Sequence, residues 1–152
     1  MEDHKSAEVR KYAEHCLHCI PRIVHLGARR ELPTYVEVEA TKRMEPVTVR
    51  VSFLDQKYIM MPVNSWTTAA QFQNMIAFRL GVKNNQAFTV YEVSSKDEER
   101  PLDPDERILD LVAYWTRLNT EERSKKGKNA EVEEFHFMYV TTVHGHVCVL
   151  LS

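Results

Sequence analysis

The sequence predicts an α+β domain preceded by a helical segment. Three observations support this prediction: a helix-period apolar pattern near the N-terminus, a period-two run at residues 47–53, and two further helix patterns interleaved with strands. The chain has 152 residues, of which 43% are hydrophobic and 28% charged. These values are typical of a folded chain with one main core.

The first element is a predicted helix over residues 7–26, where apolar side chains recur every three or four positions. Pro21 is expected to kink or interrupt this helix, and Gly27 to end it. Residues 34–41 are ambiguous, because Val36 and Val38 alternate as in a strand while the neighbouring glutamates and alanine favour a helix.

A hairpin is predicted next. Residues 47–53 alternate between apolar and polar side chains, residues 55–57 form a short polar break, and residues 58–63 are again rich in strand formers. Pro62 cannot donate a backbone hydrogen bond, so the second strand is expected at the edge of its sheet.

The clearest helix begins after the hairpin. Thr68 and Gln71 have the spacing of a capping box, and Gly81 supplies a stop signal. Between them runs an apolar stripe consisting of Ala69, Phe72, Ile76 and Leu80.

The remaining elements are a strand at residues 87–93, a very short extended segment at 100–102, a second helix and a last strand at 134–140. Asp103 is the predicted cap of the second helix, with Pro104 at its first position and Glu106 closing the capping box. The charged residues 119–133 are expected to form a loop, with the lysines near Gly127 in a mobile part of it.

The order hairpin, helix, strand, short strand, helix, strand is the β-grasp or ubiquitin-like arrangement. Such a fold packs one face of a mixed sheet on its first helix and leaves the other face to solvent.

Several segments resemble the junction between a myosin tail homology 4 domain and a FERM domain, as found in the tails of unconventional myosins. Residues 15–40 look like the final helix and exit of the tail homology domain. Residues 47–72 are similar to the first FERM hairpin and helix start, and residues 100–118 and 134–140 to the last elements of the same lobe.

This resemblance implies three parts: residues 1–44, the C-terminal end of a tail homology domain with a linker; residues 45–142, a ubiquitin-like first FERM lobe; and residues 143–152, a tail of unknown role. Because the rest of the tandem has no counterpart here, the chain looks like a fragment. The resemblance implies a non-catalytic protein-interaction module that binds a motor tail or head, cargo adaptors or other FERM lobes. Its expected location is cytoplasmic and cytoskeleton-associated.

Composition and motifs argue against other classes of function. A net charge of −2 provides no general attraction for nucleic acid. No apolar run is long enough for a transmembrane segment, and no glycine-rich loop has nucleotide-binding spacing. No cofactor is expected. Catalysis is not expected either, because no pocket-forming motif accompanies the possible nucleophiles.

The segment HCLHC at residues 15–19 is a candidate zinc site, with His15, Cys16 and Cys19 as possible ligands. A structural zinc site needs four ligands, whereas one helix face supplies only two. The only clustered candidates for a second pair are His144, His146 and Cys148. Packing of small apolar cysteines on the core side of a helix is therefore the preferred interpretation, and a zinc-binding protein remains an alternative.

Basic residues mark a candidate partner-binding surface, which is predicted to include Arg22, Arg29, Arg30, Arg50 and Lys57. The competing interpretation for the N-terminal members is a solvated helix face and exit loop. A second binding function remains open, a free-standing ubiquitin-like adaptor that pairs the edge strand at residues 58–63 with a small GTPase.

Overall fold

The computed structural model describes residues 2–127, 130–143 and 146–147. In chain order its elements are helices α1 (Glu2–Leu26) and α2 (Tyr35–Arg43), strands β1 (Val47–Ser52) and β2 (Tyr58–Val63), helix α3 (Ala69–Leu80), a 3₁₀ turn (Asn85–Ala87), strands β3 (Phe88–Ser94) and β4 (Glu99–Pro101), helix α4 (Ile108–Lys126), and strands β5 (Phe135–Val143) and β6 (His146–Val147).

The main sheet has the strand order β2-β1-β5-β3-β4. The central pair, β1 and β5, is parallel, and the other neighbours are antiparallel. The short β6 pairs with the end of β5. This mixed sheet with α3 across one face is the β-grasp fold, so the predicted fold class is confirmed, as is the edge position of the strand that contains Pro62.

The core lies between the sheet and helices α3 and α4. Its largest fully buried side chains are Phe72, Phe137, Ile76, Ile108, Val51, Val63 and Val90. The rings of Phe72 and Phe137 meet edge to face with centroids 5.6 Å apart. Trp115 of α4 stacks on Phe135 and packs against Phe137, which joins α4 to the core.

Helix α3 begins at the predicted capping box. The Thr68 hydroxyl accepts a hydrogen bond from the Gln71 amide, and the Gln71 side chain accepts one from the Thr68 amide. Gly81 ends the helix with φ of 71°, in the left-handed region. Of the predicted apolar stripe, Ala69, Phe72 and Ile76 are buried, whereas Leu80 is exposed. The buried stripe is therefore one residue shorter than predicted.

Replacing Thr68 with alanine should lower the free energy of unfolding by about 1 kcal/mol, because the Gln71 amide loses its side-chain acceptor. Urea denaturation followed by circular dichroism measures the difference. Thr120→Ala is the matched control, since that exposed hydroxyl only donates back to the Thr116 carbonyl within α4. An equal loss in the two variants would contradict the assignment of the cap.

Three further local predictions need correction. Pro21 does not interrupt α1, which is continuous from Glu2 to Leu26. Leu17 and Pro21 are both exposed, so the backbone hydrogen bond that the proline removes lies at the surface of α1. Residues 103–107 form turns, and α4 begins at Ile108 instead of Pro104. Residues 119–126 belong to α4 and not to a mobile loop.

The ambiguous segment forms a helix, α2. The Thr34 hydroxyl accepts a hydrogen bond from the Glu37 amide at 3.3 Å, which caps the helix start. Met44 adopts a left-handed conformation at the other end, with φ of 56°. Both ends of α2 are therefore capped by neighbouring residues, and β1 begins three residues after Met44.

Candidate functional site

Charged side chains attach the segment between α1 and α2 to the β-grasp part of the chain, residues 47–143, which is called the lobe here. Residues 27–31 are named the linker. Arg29 forms ion pairs with Glu37 of α2 and, at 2.6 Å, with Asp110 of α4. Asp110 also accepts a hydrogen bond from the Arg30 amide at 3.4 Å. One guanidinium thus joins three parts of the chain.

Two further arginines fix the linker from the lobe side. Arg107, a buried residue, donates a hydrogen bond to the Gly27 carbonyl oxygen at 2.6 Å. Arg117 contacts both carboxylate oxygens of Glu31 at 3.0 Å. Hydrogen bonding from Arg117 lowers the pKa of the Glu31 carboxyl, so this pair is charged at neutral pH. The orientation of the linker on α4 is therefore set by several directed contacts.

A polar groove follows the linker beside β4 and the turn before α4. At its centre Arg100 contacts Glu92 at 2.7 Å and Glu106 at 2.8 Å. Burial acts to raise the pKa of Glu106, but the hydrogen bonds from Arg100 and from the Asp103 amide outweigh it, and the pKa is lowered. The Arg100 guanidinium is in turn held in its charged form.

This arrangement predicts an acid-dependent contribution to stability. The folded-state pKa of Glu106 lies below the ordinary value of 4.5, so its contribution is complete above about pH 4.5 and is lost as pH falls through the folded-state pKa. Replacing Arg100 with glutamine should therefore lower the free energy of unfolding by roughly 0.5–1 kcal/mol at pH 7, and by less at pH 3. Denaturant titrations at the two pH values, with Arg79→Gln as an exposed control, measure this. A loss that is independent of pH would contradict the role of Glu106.

A second surface is the outward face of α1. The helix has one apolar side towards the lobe, where Cys19 is buried, and a second apolar side that is bare. The bare side includes Val9, Leu17 and Val24, and exposed apolar residues continue into Leu32 and α2. Large apolar surfaces of this kind are typical of interaction sites.

A third surface is the edge strand β2. Its side chains alternate, with Ile59, Met61 and Val63 directed inward and Tyr58, Met60 and Pro62 exposed. The Arg50 guanidinium lies over the Tyr58 ring, 4.3 Å from its centroid. Strand edges with exposed side chains can pair with an added strand.

The five predicted partner-binding residues do not form one patch. Arg30 is exposed beside the linker, and Arg50 and Lys57 lie on the hairpin, where Lys57 pairs with Asp55 at 3.0 Å. Arg22 donates to the His18 carbonyl oxygen and lies 5.9 Å from the Trp66 ring centroid. Arg29 is largely buried, with 14% of its side chain exposed, so its role is internal.

The candidate metal ligands are only partly brought together. Cys19 Sγ lies 3.5 Å from His15 Nε2, whereas Cys16 is exposed. Burial raises the pKa of the Cys19 thiol, which disfavours the thiolate that a metal requires. Within residues 2–127, 130–143 and 146–147, no group of three or more His, Cys, Asp or Glu side chains is placed to hold a metal ion. The candidate second pair at His144, His146 and Cys148 lies outside the side chains that the structure describes.

The prediction from sequence missed Asp110 and Arg107 as parts of the linker contacts. Both flank the apolar stripe of α4, but their partners lie about 80 positions earlier in the chain. The sequence showed only that these charged residues lie beside a buried stripe, and this position does not identify the residues that they contact.

In the described part of the chain, no helix is long and apolar enough to cross a membrane.

The chain is similar in sequence to an unconventional myosin and in fold to a solved myosin tail domain. Unconventional myosin heavy chain 6 of Caenorhabditis elegans is 35% identical over 65 residues, which is 43% of this chain but 3% of the worm protein. A mutant MF1 MyTH4-FERM domain of Dictyostelium discoideum myosin VII superposes with a TM-score of 0.68 at 24% identity, covering 80% of this chain and 24% of that one. The predicted resemblance to myosin tails of this type is confirmed.

The fold is also shared with the C-terminal MyTH4-FERM domain of human myosin 7b, which was solved in complex with the harmonin-a PDZ3 domain. The TM-score is 0.63 at 17% identity, over 92% of this chain and 27% of that one. The RA-like domain family matches residues 45–141, more than half of the chain. This chain therefore belongs to the RA-like domain family.

Proposed function

We propose that the chain is a non-catalytic protein-interaction module of an unconventional-myosin-like tail. In this proposal residues 1–44 are the end of a myosin tail homology domain, residues 45–142 are the first FERM lobe, and residues 143–152 are a tail of unknown role. The partners are a motor tail or head, cargo adaptors or other FERM lobes. The site of action is the cytoplasm, in association with the cytoskeleton.

The observation that carries the proposal is the attachment of the linker to the lobe. Arg107 and Arg117 of the lobe contact Gly27 and Glu31, and Arg29 contacts Asp110. A flexible tether needs no such contacts, since it only has to span a distance. The contacts fix the linker that follows α1 on the surface of the lobe, as expected where two domains present one combined surface to a partner.

The exposed groups of this combined surface suit protein recognition. Leu17 is 72% exposed on the bare side of α1, and Arg22 and Arg30 provide positive charge near the same end of the chain. Apolar contact combined with charge complementarity is the usual basis of specific protein interfaces. The human myosin 7b MyTH4-FERM domain, whose structure is in complex with the harmonin-a PDZ3 domain, is an example of a protein with this fold that binds a protein partner.

Isothermal titration calorimetry tests the proposal. The chain is titrated separately with two recombinant proteins from its own organism. One is an unconventional-myosin head, and the other is a fragment that contains the second and third FERM lobes. We expect saturable binding to at least one of them, weakened roughly tenfold or more by Arg30→Glu. Arg79→Glu, an equal charge change on exposed α3, should leave the affinity unchanged. Absence of binding to both proteins would overturn the proposal.

A small-GTPase adaptor is the second candidate function. The observation in its favour is the exposed edge of β2, with Arg50 positioned over Tyr58 at 4.3 Å. The discriminating experiment compares a Ras-type GTPase loaded with a non-hydrolysable GTP analogue with the same GTPase loaded with GDP. Binding of the GTP form alone, lost in Arg50→Glu, would support the adaptor. Equal weak binding of both forms would exclude it.

A further inference from the structure

The two cysteines of α1 form a group that the proposed function does not use. Cys16 is exposed, whereas Cys19 is only 8% exposed. They lie three positions apart, so their Cα atoms are about 5 Å apart in a regular helix. This separation is within the range of about 4.4–6.8 Å that disulfides adopt. The two residues can therefore be bridged without a large movement of the backbone.

A pocket gives small polar molecules access to this group. It has a volume of about 230 Å³, and both cysteines line it. Glu45, Asn64 and Ser65 also line it, so its wall is partly polar. A polar cavity of this size holds water, and hydrogen peroxide is larger than water by only one oxygen atom. The peroxide can thus reach the cysteines in the folded chain.

The two thiols are not equivalent. Burial and the neighbouring Cys16 thiol raise the pKa of Cys19, and the opposing effect of Arg22 is smaller. Cys19 is therefore held as the thiol, which is the less reactive form. Cys16 is exposed, so a dissolved oxidant meets its sulfur first.

His15 lies beside the buried thiol. Its Nε2 is 3.5 Å from the Cys19 sulfur. In the tautomer that leaves Nε2 unprotonated, the ring accepts the proton of the thiol. The product is a thiolate, the form of cysteine that attacks another sulfur atom. His15 is thus placed to activate Cys19 once a reactive sulfur is next to it.

Pro21 lowers the cost of joining the two sulfur atoms. Cβ atoms three positions apart on a regular helix are about 5–6 Å from each other, whereas a disulfide needs about 3.5–4.5 Å. The helix must therefore deform locally. Pro21 has no amide hydrogen to donate to the Leu17 carbonyl, so one of the hydrogen bonds that would resist this deformation is already absent.

We propose that Cys16 and Cys19 form a reversible disulfide when the chain meets hydrogen peroxide. First, the Cys16 thiol loses its proton and its sulfur attacks one peroxide oxygen. The O–O bond breaks, Cys16 becomes a sulfenic acid, and the hydroxide that leaves takes up a proton to form water. Then Cys19 gives its proton to His15 and attacks the Cys16 sulfur. The S–S bond forms, the S–O bond breaks, and the leaving hydroxide takes the proton from His15 as a second water.

The two thiols lose two electrons in total, and these electrons reduce one peroxide to two water molecules. Closure draws the Cys19 sulfur away from His15 and from its buried position. The oxidised helix α1 is therefore held less firmly on the lobe. The site is independent of the proposed tail function, since it depends on the side chains of α1 alone.

Peptide mass spectrometry of the full chain tests the proposal. The folded chain is treated with hydrogen peroxide, free thiols are blocked with iodoacetamide, and the product is digested with trypsin without reduction. Cleavage after Lys11 and Arg22 places both cysteines in one peptide, residues 12–22, and leaves Cys148 in another. We expect this peptide to be unalkylated and two hydrogen atoms lighter. Dithiothreitol added before blocking should restore both alkylation sites.

Variants separate the two steps. Cys19→Ser should stop the reaction at the Cys16 sulfenic acid, which dimedone traps, and Cys16→Ser should leave Cys19 unoxidised. His15→Gln should slow bridge formation roughly tenfold or more, while the sulfenic acid that dimedone traps increases. His25→Gln is the matched control, because this exposed histidine of the same helix should leave both steps unchanged.

Three outcomes would overturn the proposal, and all are read on the unmodified chain. In the first, both cysteines remain free to react with iodoacetamide after the peroxide treatment. In the second, Cys16 is oxidised to the sulfinic acid while Cys19 is still alkylated. In the third, the peptide is joined to Cys148 or to a second chain, which would mean that the two cysteines of α1 do not pair with each other.

Discussion

Replacing Phe137 with alanine is expected to cost about 3–5 kcal/mol of unfolding free energy. The side chain is 1% exposed and lies on β5, the strand at the centre of the sheet. Its ring contacts Phe72 of α3 and Trp115 of α4, with centroid distances of 5.6 and 4.7 Å. The substitution therefore leaves a cavity where the sheet, α3 and α4 meet.

Phe78→Ala is the matched control for this prediction. It removes the same side chain from α3, where 89% of the residue is exposed, and should change stability by less than about 0.5 kcal/mol. Urea denaturation followed by far-ultraviolet circular dichroism avoids any local effect on Trp115 fluorescence. If Phe137→Ala costs no more than Phe78→Ala, the assignment of the core is wrong.

The start of α3 was predictable from sequence because its signals are local. Thr68 and Gln71 lie three residues apart and bond to each other, so the sequence spacing contains the whole capping box. The start of α4 has equally strong local signals at residues 103–106, and the predicted hydrogen bond from the Asp103 amide to the Glu106 carboxylate is present. The helix nevertheless begins later.

The reason is a set of backbone bonds between the two helix starts. The Ala69 amide donates to the Glu106 carbonyl at 2.7 Å, and the Ile108 amide donates to the Thr67 carbonyl at 3.1 Å. The Ala70 amide also bonds to the Pro104 carbonyl. The Pro104 and Glu106 carbonyls thus accept hydrogen bonds from the start of α3, and the Ile108 amide donates to Thr67. Because these groups bond to a distant segment, residues 103–107 remain a turn. The residues around Pro104 do not indicate these hydrogen bonds, because the partners lie at residues 67–70.

The candidate site shows the same limit more strongly. The sequence identifies Arg29 as basic and places it in a charged exit loop, which favours an exposed role. Its burial depends on Glu37, eight residues away, and on Asp110, 81 residues away. Arg50 and Lys57, in contrast, are exposed as predicted, because their position follows from strand alternation and a short turn. Local periodicity thus predicts which residues face solvent, but not which charges are paired across the fold.

Replacing Arg29 with alanine is expected to lower the free energy of unfolding by about 3 kcal/mol, because two largely buried carboxylates lose their counter-charge. Arg30→Ala, next in the chain but exposed, should cost much less. Denaturant titration measures both variants, and an equal loss would contradict a buried role for Arg29.

A second comparison separates the loss of charge pairing from the loss of packing at Arg29. Arg29→Met combined with Glu37→Leu and Asp110→Leu removes all three charges at similar volume. If unpaired charge causes the loss, this combined variant should be more stable than Arg29→Ala, because the carboxylates that Arg29→Ala leaves buried are then absent.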